Sequence, residues 1–400
     1  MKYVQLKKLF HVNEAQCNEL YQKRFNSEST RKLGIYLNNG YECFYQINEE
    51  VLYLIDRIYT INTWLEKTMA SDAIPSLAKE YLVVRSLVEE IKSSNQMEGI
   101  YSTRKELKDM LIAKDIKKYK RFYGMVNKYK KLWKDNFKEL KTVHEIRELY
   151  DEVLLQDVIE ECKTDKPDGV LFRKDSVEIN SGTKVIHNGI TGEENVVIML
   201  EKALEVQNDE NINYLIKTAV FHYLFEYTHP FYNGNGRMGR FLACGYLSNN
   251  MNILGALQFS IACLHNNKKY YDAFLSTNDI RNKGDLTVFI IRFLEIYLSG
   301  LEELQETTAN MIDDYKYTLA KMHKYVESKY VPVAELILQV TLFGIEGFNM
   351  SQLKDMTGYT EQSIRNIIKS INKKYAVIKV DKSSKPYRYQ INLEILNIIN

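Results

Sequence analysis

The sequence predicts a mainly α-helical protein, and three observations lead to this fold class. Apolar residues recur at helical spacing through most of the 400 residues, as in Val51, Leu54 and Ile58. Only 5 prolines occur, which suits a helical chain because proline breaks a helix interior. Strand-like alternation is confined to two short stretches, residues 172–190 and 376–391. We therefore expect a helical bundle that carries one β-hairpin, followed by a smaller C-terminal domain.

Changes in pattern along the chain predict its domain organisation. We expect an N-terminal helical region over residues 1–110, a central core over 111–315 with the hairpin near 172–190, and a last domain over 325–400. In the last domain, two short helical segments with Gly358 between them precede the second alternating stretch. That order is typical of a winged helix-turn-helix.

Charge and cysteine content narrow the class of protein. The 54 basic and 52 acidic residues nearly cancel, at net +2, so any basic surface must be local. The 5 cysteines are odd in number and lack close CxxC spacing, which favours reduced thiols over a disulfide framework or a zinc site. The start of the chain lacks the apolar core of a signal peptide, and no apolar run approaches the roughly 18–20 residues of a membrane span. We expect a cytoplasmic protein without a membrane partner.

The string HPFYNGNGRMGR, residues 229–240, has a composition typical of an anion-binding loop. It follows a long apolar helical segment, and a new helix is predicted to begin within it. Gly234 and Gly236 flank Asn235 and allow backbone conformations that turn several N–H groups inward. A nest of N–H groups at the start of a helix binds anions.

The charged side chains of the same string extend this prediction to phosphate chemistry. Arg237 and Arg240 are three residues apart, share a helix face and can each direct a guanidinium fork at phosphate oxygens. His229 adds an acid–base group of near-neutral pKa. Together they predict a polyphosphate site with its own proton acceptor, as phosphoryl-transfer chemistry requires.

This string resembles the signature of the Fic family of nucleotidyl-transferring enzymes at every defining position but one, and the resemblance covers most of residues 45–310. Fic enzymes usually move AMP from ATP to a Ser, Thr or Tyr hydroxyl of a protein. The resemblance implies that His229 deprotonates the target hydroxyl, that Gly234, Asn235, Gly236 and Arg237 surround the phosphates, and that Arg240 holds the terminal phosphate. It implies ATP as substrate, Mg²⁺ or Mn²⁺ as cofactor, and protein hydroxyls, including its own, as acceptors.

The hairpin predicted near residues 172–190 resembles the flap of the same family. The resemblance implies that this flap pairs with a target segment by strand addition, through main-chain hydrogen bonds. His187 is equally well explained as a structural histidine. The flap residues expected to dock the target are Thr183, Lys184, Val185, Ile186 and His187.

The string SSNQMEG resembles the inhibitory motif of the family, with Ser94, Glu98 and Gly99 at its defining positions. Ser94 and Glu98 are four residues apart, so they share a helical face. A carboxylate delivered to Arg240 would take the place of the γ-phosphate and leave ATP in an unproductive pose. The alternative is that Glu98 is an ordinary surface residue at a helix end. We expect self-inhibition, which a homodimer interface can gate.

Asn233 is the one departure from the signature, because the family usually has Asp or Glu there to bind Mg²⁺. Magnesium prefers charged oxygen ligands, and the amide oxygen of Asn233 offers a neutral one. Three interpretations follow. The enzyme depends less strongly on Mg²⁺, it uses a different phosphate donor, or its catalysis is impaired and the domain is retained for binding.

Between residues 360 and 390, eight Lys or Arg stand against two acids, which favours contact with a duplex backbone. The alternative is a module for protein contacts. The candidate DNA contacts are Arg365, Lys369, Lys373, Lys382 and Arg388.

The leading prediction is a self-inhibited protein adenylyltransferase. The rival is a nucleotide-sensing, DNA-binding regulator with a weakly active or inactive Fic domain. A third reading is removal of AMP by the same site, with Glu98 orienting water.

Overall fold

A computed structural model describes residues 3–112, 121–181, 184–383 and 385–398. Most of the described chain is helical, so the predicted fold class is confirmed. Within these ranges no helix is long and apolar enough to cross a membrane. The α-helices are α1 Leu6–Val12, α2 Glu14–Phe25, α3 Glu49–Ala70, α4 Ser76–Met97, α5 Arg104–Ile112, α6 Tyr123–Lys134, α7 Val143–Val153, α8 Leu155–Glu161, α9 Glu193–Asn208, α10 Tyr214–Thr228, α11 Asn235–Ser248, α12 Ile253–Ala256, α13 Phe259–His265, α14 Asn267–Thr277, α15 Thr287–Tyr325, α16 Val331–Phe343, α17 Met350–Thr357, α18 Glu361–Ile371 and α19 Leu393–Ile398.

The chain divides into two compact units. The first comprises Met1–Thr63 and Glu89–Glu302, and the second comprises Trp64–Val88 and Glu303–Asn400. The described strands pair as three antiparallel hairpins. They are β1 Thr30–Tyr36 with β2 Glu42–Gln46, β3 Glu178–Ser181 with β4 Lys184–Asn188, and β5 Ile378–Asp381 with β6 Arg388–Ile391.

Helix α10 lies in the core of the first unit, because its own side chains are apolar on almost every side. Twelve of its residues are buried, and it packs against α9 and α11. A helix that is apolar all round is stable only inside a core. Its one histidine, His222, lies within hydrogen-bond distance of the Gly239 carbonyl (3.1 Å) and the Tyr270 hydroxyl (2.9 Å). Burial lowers the pKa of His222 to about 3, so this histidine is neutral and packed, as expected.

The hairpin of β1 and β2 was not predicted, because residues 1–45 show little periodicity. In β2 three consecutive residues, Cys43, Phe44 and Tyr45, are buried, so polar and apolar positions do not alternate. In β1 the register shifts between Lys32 and Tyr36, around Gly34 with its φ of 66°. A bulge of this kind breaks the two-residue period on which strand prediction depends.

The C-terminal elements of the second unit follow the predicted order. Helix α17 ends at Gly358, whose φ of 69° stops the helix, and Thr360 caps α18 by accepting a hydrogen bond from the Ser363 N–H (3.2 Å). Strands β5 and β6 then pair in register. The two short helices and the following hairpin thus lie where the sequence predicts them.

Candidate active site

His229 lies immediately after α10 in a left-handed backbone conformation, with φ of 53° and ψ of 63°. This conformation is uncommon for a residue other than glycine and persists only where neighbours hold it. Arg173, which is fully buried, donates from Nε to the His229 carbonyl (2.7 Å) and from Nη2 to the Ile190 carbonyl (2.8 Å). Arg173 therefore fixes the turn that presents His229.

The His229 ring is oriented by the residue one helical turn before it. Nδ1 lies 3.3 Å from the Glu226 carbonyl oxygen and 4.0 Å from Glu226 Oε2. A proton on Nδ1 satisfies these acceptors and leaves Nε2 as the basic nitrogen. Burial raises the pKa of the Glu226 carboxyl to about 8, although the Arg240 cation favours its ionised form. The ring thus has the orientation that a general base needs.

The glycine-rich turn opens α11 with the backbone geometry typical of an anion-binding nest. Gly234 has φ of 81°, and the first N–H bonded back within the helix is that of Met238, to the Gly234 carbonyl (2.9 Å). The N–H groups of residues 235–237 precede it, as orphan donors at a helix start do. The buried Asn235 side chain bonds both backbone groups of Phe231, accepting at 2.9 Å and donating at 2.8 Å. Asn235 therefore braces the loop through its side chain.

Arg240 is bound by two residues of the predicted inhibitory motif, Ser94 and Glu98. Its Nε donates to the Ser94 hydroxyl (3.1 Å), and its Nη2 donates to the Ser94 carbonyl (2.9 Å) and to Glu98 Oε1 (2.8 Å). Burial alone would lower the pKa of Arg240, but the facing Glu98 carboxylate raises it, so the guanidinium stays charged. Gly236 leaves room for this contact, because a side chain there would collide with Glu98 and lie 2.9 Å from Arg240 Nη1.

Helix α4 holds this motif in place from its interior. The carboxylate of the fully buried Glu90 accepts hydrogen bonds from the N–H groups of Ser260 (2.8 Å) and Ile261 (3.3 Å) in the first turn of α13. A carboxylate at a helix start satisfies orphan donors and the helix dipole. Helix α4 then ends at Met97, and Gly99 has φ of 72°.

Arg237, which the sequence places beside the phosphates, is held by a carboxylate that the sequence did not single out. Its Nη1 and Nη2 donate to the two carboxylate oxygens of Glu161, at 3.0 Å and 2.9 Å. Arg237 is 0% exposed, whereas the Glu161 side chain is 23% exposed. Both arginines of the loop are therefore paired with carboxylates from outside it.

Asn233 is also engaged by residues from elsewhere in the chain. Its Oδ1 accepts from the Gly234 N–H (2.6 Å), its Nδ2 donates to Asp165 Oδ2 (3.0 Å), and its carbonyl accepts from the Tyr150 hydroxyl (3.0 Å). Asp165, which no spacing in the sequence marks as a site residue, closes the short 3₁₀ helix Lys163–Asp165.

The donor set of this corner fits a divalent cation that is shared with phosphates. Magnesium in nucleotide sites takes one or two carboxylates and completes its shell with phosphate oxygens and waters. Asn233 offers only a neutral oxygen that already accepts a hydrogen bond, whereas the adjoining Asp165 offers the charge. In the described part of the chain no three His, Cys, Asp or Glu side chains converge as an all-protein metal site.

The predicted flap residues occupy the second strand of its hairpin. Thr183 lies outside the described residues, and residues 184–187 lie in β4. Val185 pairs with Asn180 and His187 with Ile179, with a register shift between Ile179 and Asn180. The hairpin therefore exists at the predicted place.

The five candidate DNA contacts separate into exposed and buried residues. Lys369, Lys373 and Lys382 are exposed, and so is Arg365, which pairs with Glu361 at 2.5 Å. Arg388 departs from the prediction because it is only 6% exposed and bonds Glu346 (2.9 Å). Its strand turns this side chain inward, where it serves the packing of the unit.

Comparison with known proteins agrees with this loop and fold. Residues 140–247 match the Fic/DOC family. A Fic family protein from Desulfovibrio desulfuricans G20 is 18% identical, with a TM-score of 0.53 over 87% of this chain and 97% of that chain. Fic-1 from C. elegans is 15% identical (TM-score 0.42; 66% of this chain, 72% of that chain). A Fic domain containing signaling protein from Bacteroides thetaiotaomicron VPI-5482 is 16% identical (TM-score 0.41; 65% and 95%).

The helical core with its glycine–arginine loop defines a Fic domain. The match over residues 140–247 confirms the resemblance to the Fic family seen in the sequence. The likeness to the Desulfovibrio protein shows that the fold extends over most of both chains. The Fic/DOC match supports a transferase-type enzyme.

Proposed function

We propose that the protein is a self-inhibited adenylyltransferase that moves AMP from ATP to Ser, Thr or Tyr hydroxyls of proteins, including its own. The observation that carries the proposal is the contact between Glu98 and Arg240, at 2.8 Å, on the loop that presents His229. A carboxylate on the arginine of a phosphate site competes with the phosphate, so this contact is the expected form of self-inhibition. Ser94 completes the contact by binding the same guanidinium twice.

The reaction follows from the groups around the loop. His229 Nε2 takes the proton of the target hydroxyl, and the Glu226 carbonyl on the other side of the ring keeps Nδ1 protonated. The hydroxyl oxygen bonds the α-phosphorus while the bond from that phosphorus to the bridging β-phosphate oxygen breaks, so pyrophosphate leaves. The first N–H groups of α11 and the Arg240 cation stabilise charge on the phosphates. A bound divalent cation would further neutralise this charge.

Inhibition acts through the place of the γ-phosphate. With Glu98 on Arg240, the terminal phosphate loses its cationic partner and meets a like charge instead. ATP then enters in a pose in which the α-phosphorus is not in line with the target hydroxyl. Loss of the Glu98 carboxylate restores the partner and the productive pose.

Labelled ATP tests the proposal directly. We would incubate α-³²P-ATP and Mg²⁺ or Mn²⁺ with the wild type, Glu98→Gly, Glu98→Gly/His229→Ala and Gln96→Gly. Gln96 is exposed in the same helical turn as the inhibitory residues, so Gln96→Gly is a control for the effect of a glycine at the helix end. We expect covalent label on Glu98→Gly at least about tenfold above the wild type.

The other proteins separate the inhibitory role of Glu98 from the role of His229 as the base. Label should vanish in the double variant and stay at the wild-type level in Gln96→Gly. Equal labelling of wild type and Glu98→Gly would refute self-inhibition, and absence of label under both metals would refute adenylyl transfer.

A second candidate is a DNA-binding regulator whose Fic domain binds nucleotide. It is favoured by one observation, the exposed lysines Lys369 and Lys373 at the end of α18, with Lys382 after β5. A basic helix after a capped turn fits a duplex backbone.

A further inference from the structure

The neutral Asn233 stands where a Fic site usually has its metal-binding acid, and the structure brings another carboxylate to that place. Asp165 lies 68 positions earlier in the chain, yet its Oδ2 accepts a hydrogen bond from Asn233 Nδ2 at 3.0 Å. The contact is part of the loop itself, because the Asn233 amide oxygen bonds the Gly234 N–H that opens the anion nest.

We propose that Asp165 is the metal-ligating carboxylate of this site and that Asn233 is the hydrogen-bond donor that orients it. The ligand is a divalent cation, Mg²⁺ or Mn²⁺, shared with the phosphates of the nucleotide. The inference rests on the proposed function only in that it requires a bound nucleotide.

The hydrogen bonds around Asn233 fix which end of its amide faces Asp165. Oδ1 accepts from the Gly234 N–H, and the Tyr150 hydroxyl holds the main chain of the same residue. Nδ2 is therefore the end that meets Asp165. An amide N–H that bonds one carboxylate oxygen is a typical outer partner of a metal ligand, because it sets the direction of the other oxygen.

The second oxygen of Asp165 is available to a cation. Its Oδ1 has one long contact, 3.5 Å from the Thr164 hydroxyl. Among the described residues no Lys or Arg forms an ion pair with Asp165, whereas Glu161 on the preceding helix pairs with Arg237. Asp165 thus keeps its charge for a ligand, and it is half-buried, where that charge is less screened than in open water.

An orphaned donor on the same loop indicates that an anion completes the site. The Nε of the fully buried Arg237 has no hydrogen-bond partner within the described residues. A phosphate oxygen would satisfy it. Magnesium with one protein carboxylate needs such phosphate oxygens and waters to complete its shell. One carboxylate beside the loop is therefore sufficient for this metal.

Manganese binding tests the proposal without any transfer reaction. Free Mn²⁺ would be measured by electron paramagnetic resonance in the presence of a non-hydrolysable ATP analogue. All proteins would carry Glu98→Gly so that the γ-phosphate site is open. Four proteins would be compared: the Glu98→Gly parent and three variants of it. The variants additionally carry Asp165→Asn, Asp165→Asn/Asn233→Asp or Glu160→Gln.

The matched control is Glu160→Gln, which removes one negative charge from α8 next to the site. Glu160 is exposed and accepts a hydrogen bond from Gln156 (2.8 Å), so it has no role at Asn233. Asp165→Asn keeps the size of the side chain and a hydrogen-bonding group. A thermal melt of each protein would show that the variants fold.

We expect Asp165→Asn to weaken Mn²⁺ binding by about tenfold or more, and Glu160→Gln to leave it within about twofold. Adding Asn233→Asp to Asp165→Asn should restore binding, because it returns a carboxylate to the same corner. Unchanged Mn²⁺ binding in Asp165→Asn, or an equal loss in Glu160→Gln, would overturn the proposal. So would a parent protein that binds no Mn²⁺ with the analogue.

The outcome is independent of the proposed transfer reaction. Mn²⁺ binding that depends on Asp165, in a protein that never labels itself or a target, would refute adenylyl transfer and leave the metal site standing. Unchanged labelling and unchanged Mn²⁺ binding in Asp165→Asn would refute the metal site at Asp165 and leave the proposed adenylyl transfer standing.

Discussion

Arg237 and Glu161 form a second carboxylate–arginine pair beside the one that Glu98 makes. Arg237 is fully buried and bonds both Glu161 oxygens, so nucleotide phosphates compete with Glu161 for this cation. Glu161→Gln should free Arg237 for phosphate and tighten ATP binding by about tenfold, or about 1.4 kcal/mol. It should also lower the free energy of unfolding by about 1–3 kcal/mol, because a buried cation loses its partner. Calorimetric titration with ATP and a urea melt measure the two effects.

The opposite signs of these two effects make the prediction specific. Glu160→Gln again serves as control, since it should change neither quantity. Weaker ATP binding in Glu161→Gln would mean that Glu161 positions Arg237 for phosphate instead of competing with it.

At the scale of residues, local strings predicted one part of the site, and contacts distant in sequence make up the rest. His229, Arg240, Ser94 and Glu98 lie in two short motifs, and the structure brings the last three together. Three further residues contact the loop from 56–76 positions away in the sequence: Arg173, Glu161 and Asp165. No motif or regular spacing in the sequence identifies them. Such partners become visible only when the chain is folded.

Among the structural elements, α4 carries a titration that should appear in the stability of the protein. Burial raises the pKa of Glu90 to about 7 from 4.5, against the hydrogen bonds from α13. A carboxyl with a raised folded-state pKa binds its proton more tightly in the folded than in the unfolded protein. Its contribution to stability is therefore fully present below about pH 4.5 and is lost as the pH rises through 7.

Glu90→Gln removes this titration and keeps the size of the side chain. The free energy of unfolding of the variant, relative to that of the wild type, should rise by up to about 3 kcal/mol as the pH goes from 4.5 to 7. Above pH 7 the difference should stay constant. Melting temperatures of both proteins at pH 5, 6, 7 and 8 provide the measurement. A constant difference across this range would mean that Glu90 does not titrate there.

The elements also show where sequence patterns are sufficient and where they are not. The apolar α10 and the capped α18 follow directly from composition and turn chemistry. The hairpin of β1 and β2 does not, because a register shift and three consecutive buried residues remove its alternation. Strand prediction depends on that alternation, so a bulged hairpin is invisible to it.

For the whole molecule, a net charge of +2 conceals a local excess of basic residues near the C-terminus. If this region binds duplex DNA, Lys369→Glu/Lys373→Glu should weaken binding by at least about tenfold and lower the slope of log K against log salt by about 2. Lys316→Glu/Lys324→Glu is the matched control, because both lysines are exposed in the same unit but lie on α15. Fluorescence anisotropy at several salt concentrations would show the difference.

Equal losses in the two variants would indicate a general effect of charge. Absence of binding at low salt in the wild type would rule out the DNA-binding candidate and leave protein contacts as the use of these helices.

The anchoring of α4 by Glu90 also determines how fast the site can respond. Glu90 docks the helix eight residues before Glu98, so sliding of the whole helix would break the bonds to α13. Fraying of the final turn, where the N–H groups of Glu98 and Gly99 donate to the Asn95 and Gln96 carbonyls, would carry the carboxylate away from Arg240. Helix ends open within nanoseconds to microseconds. A partner that captures the frayed turn would therefore shift the release of Arg240 by mass action.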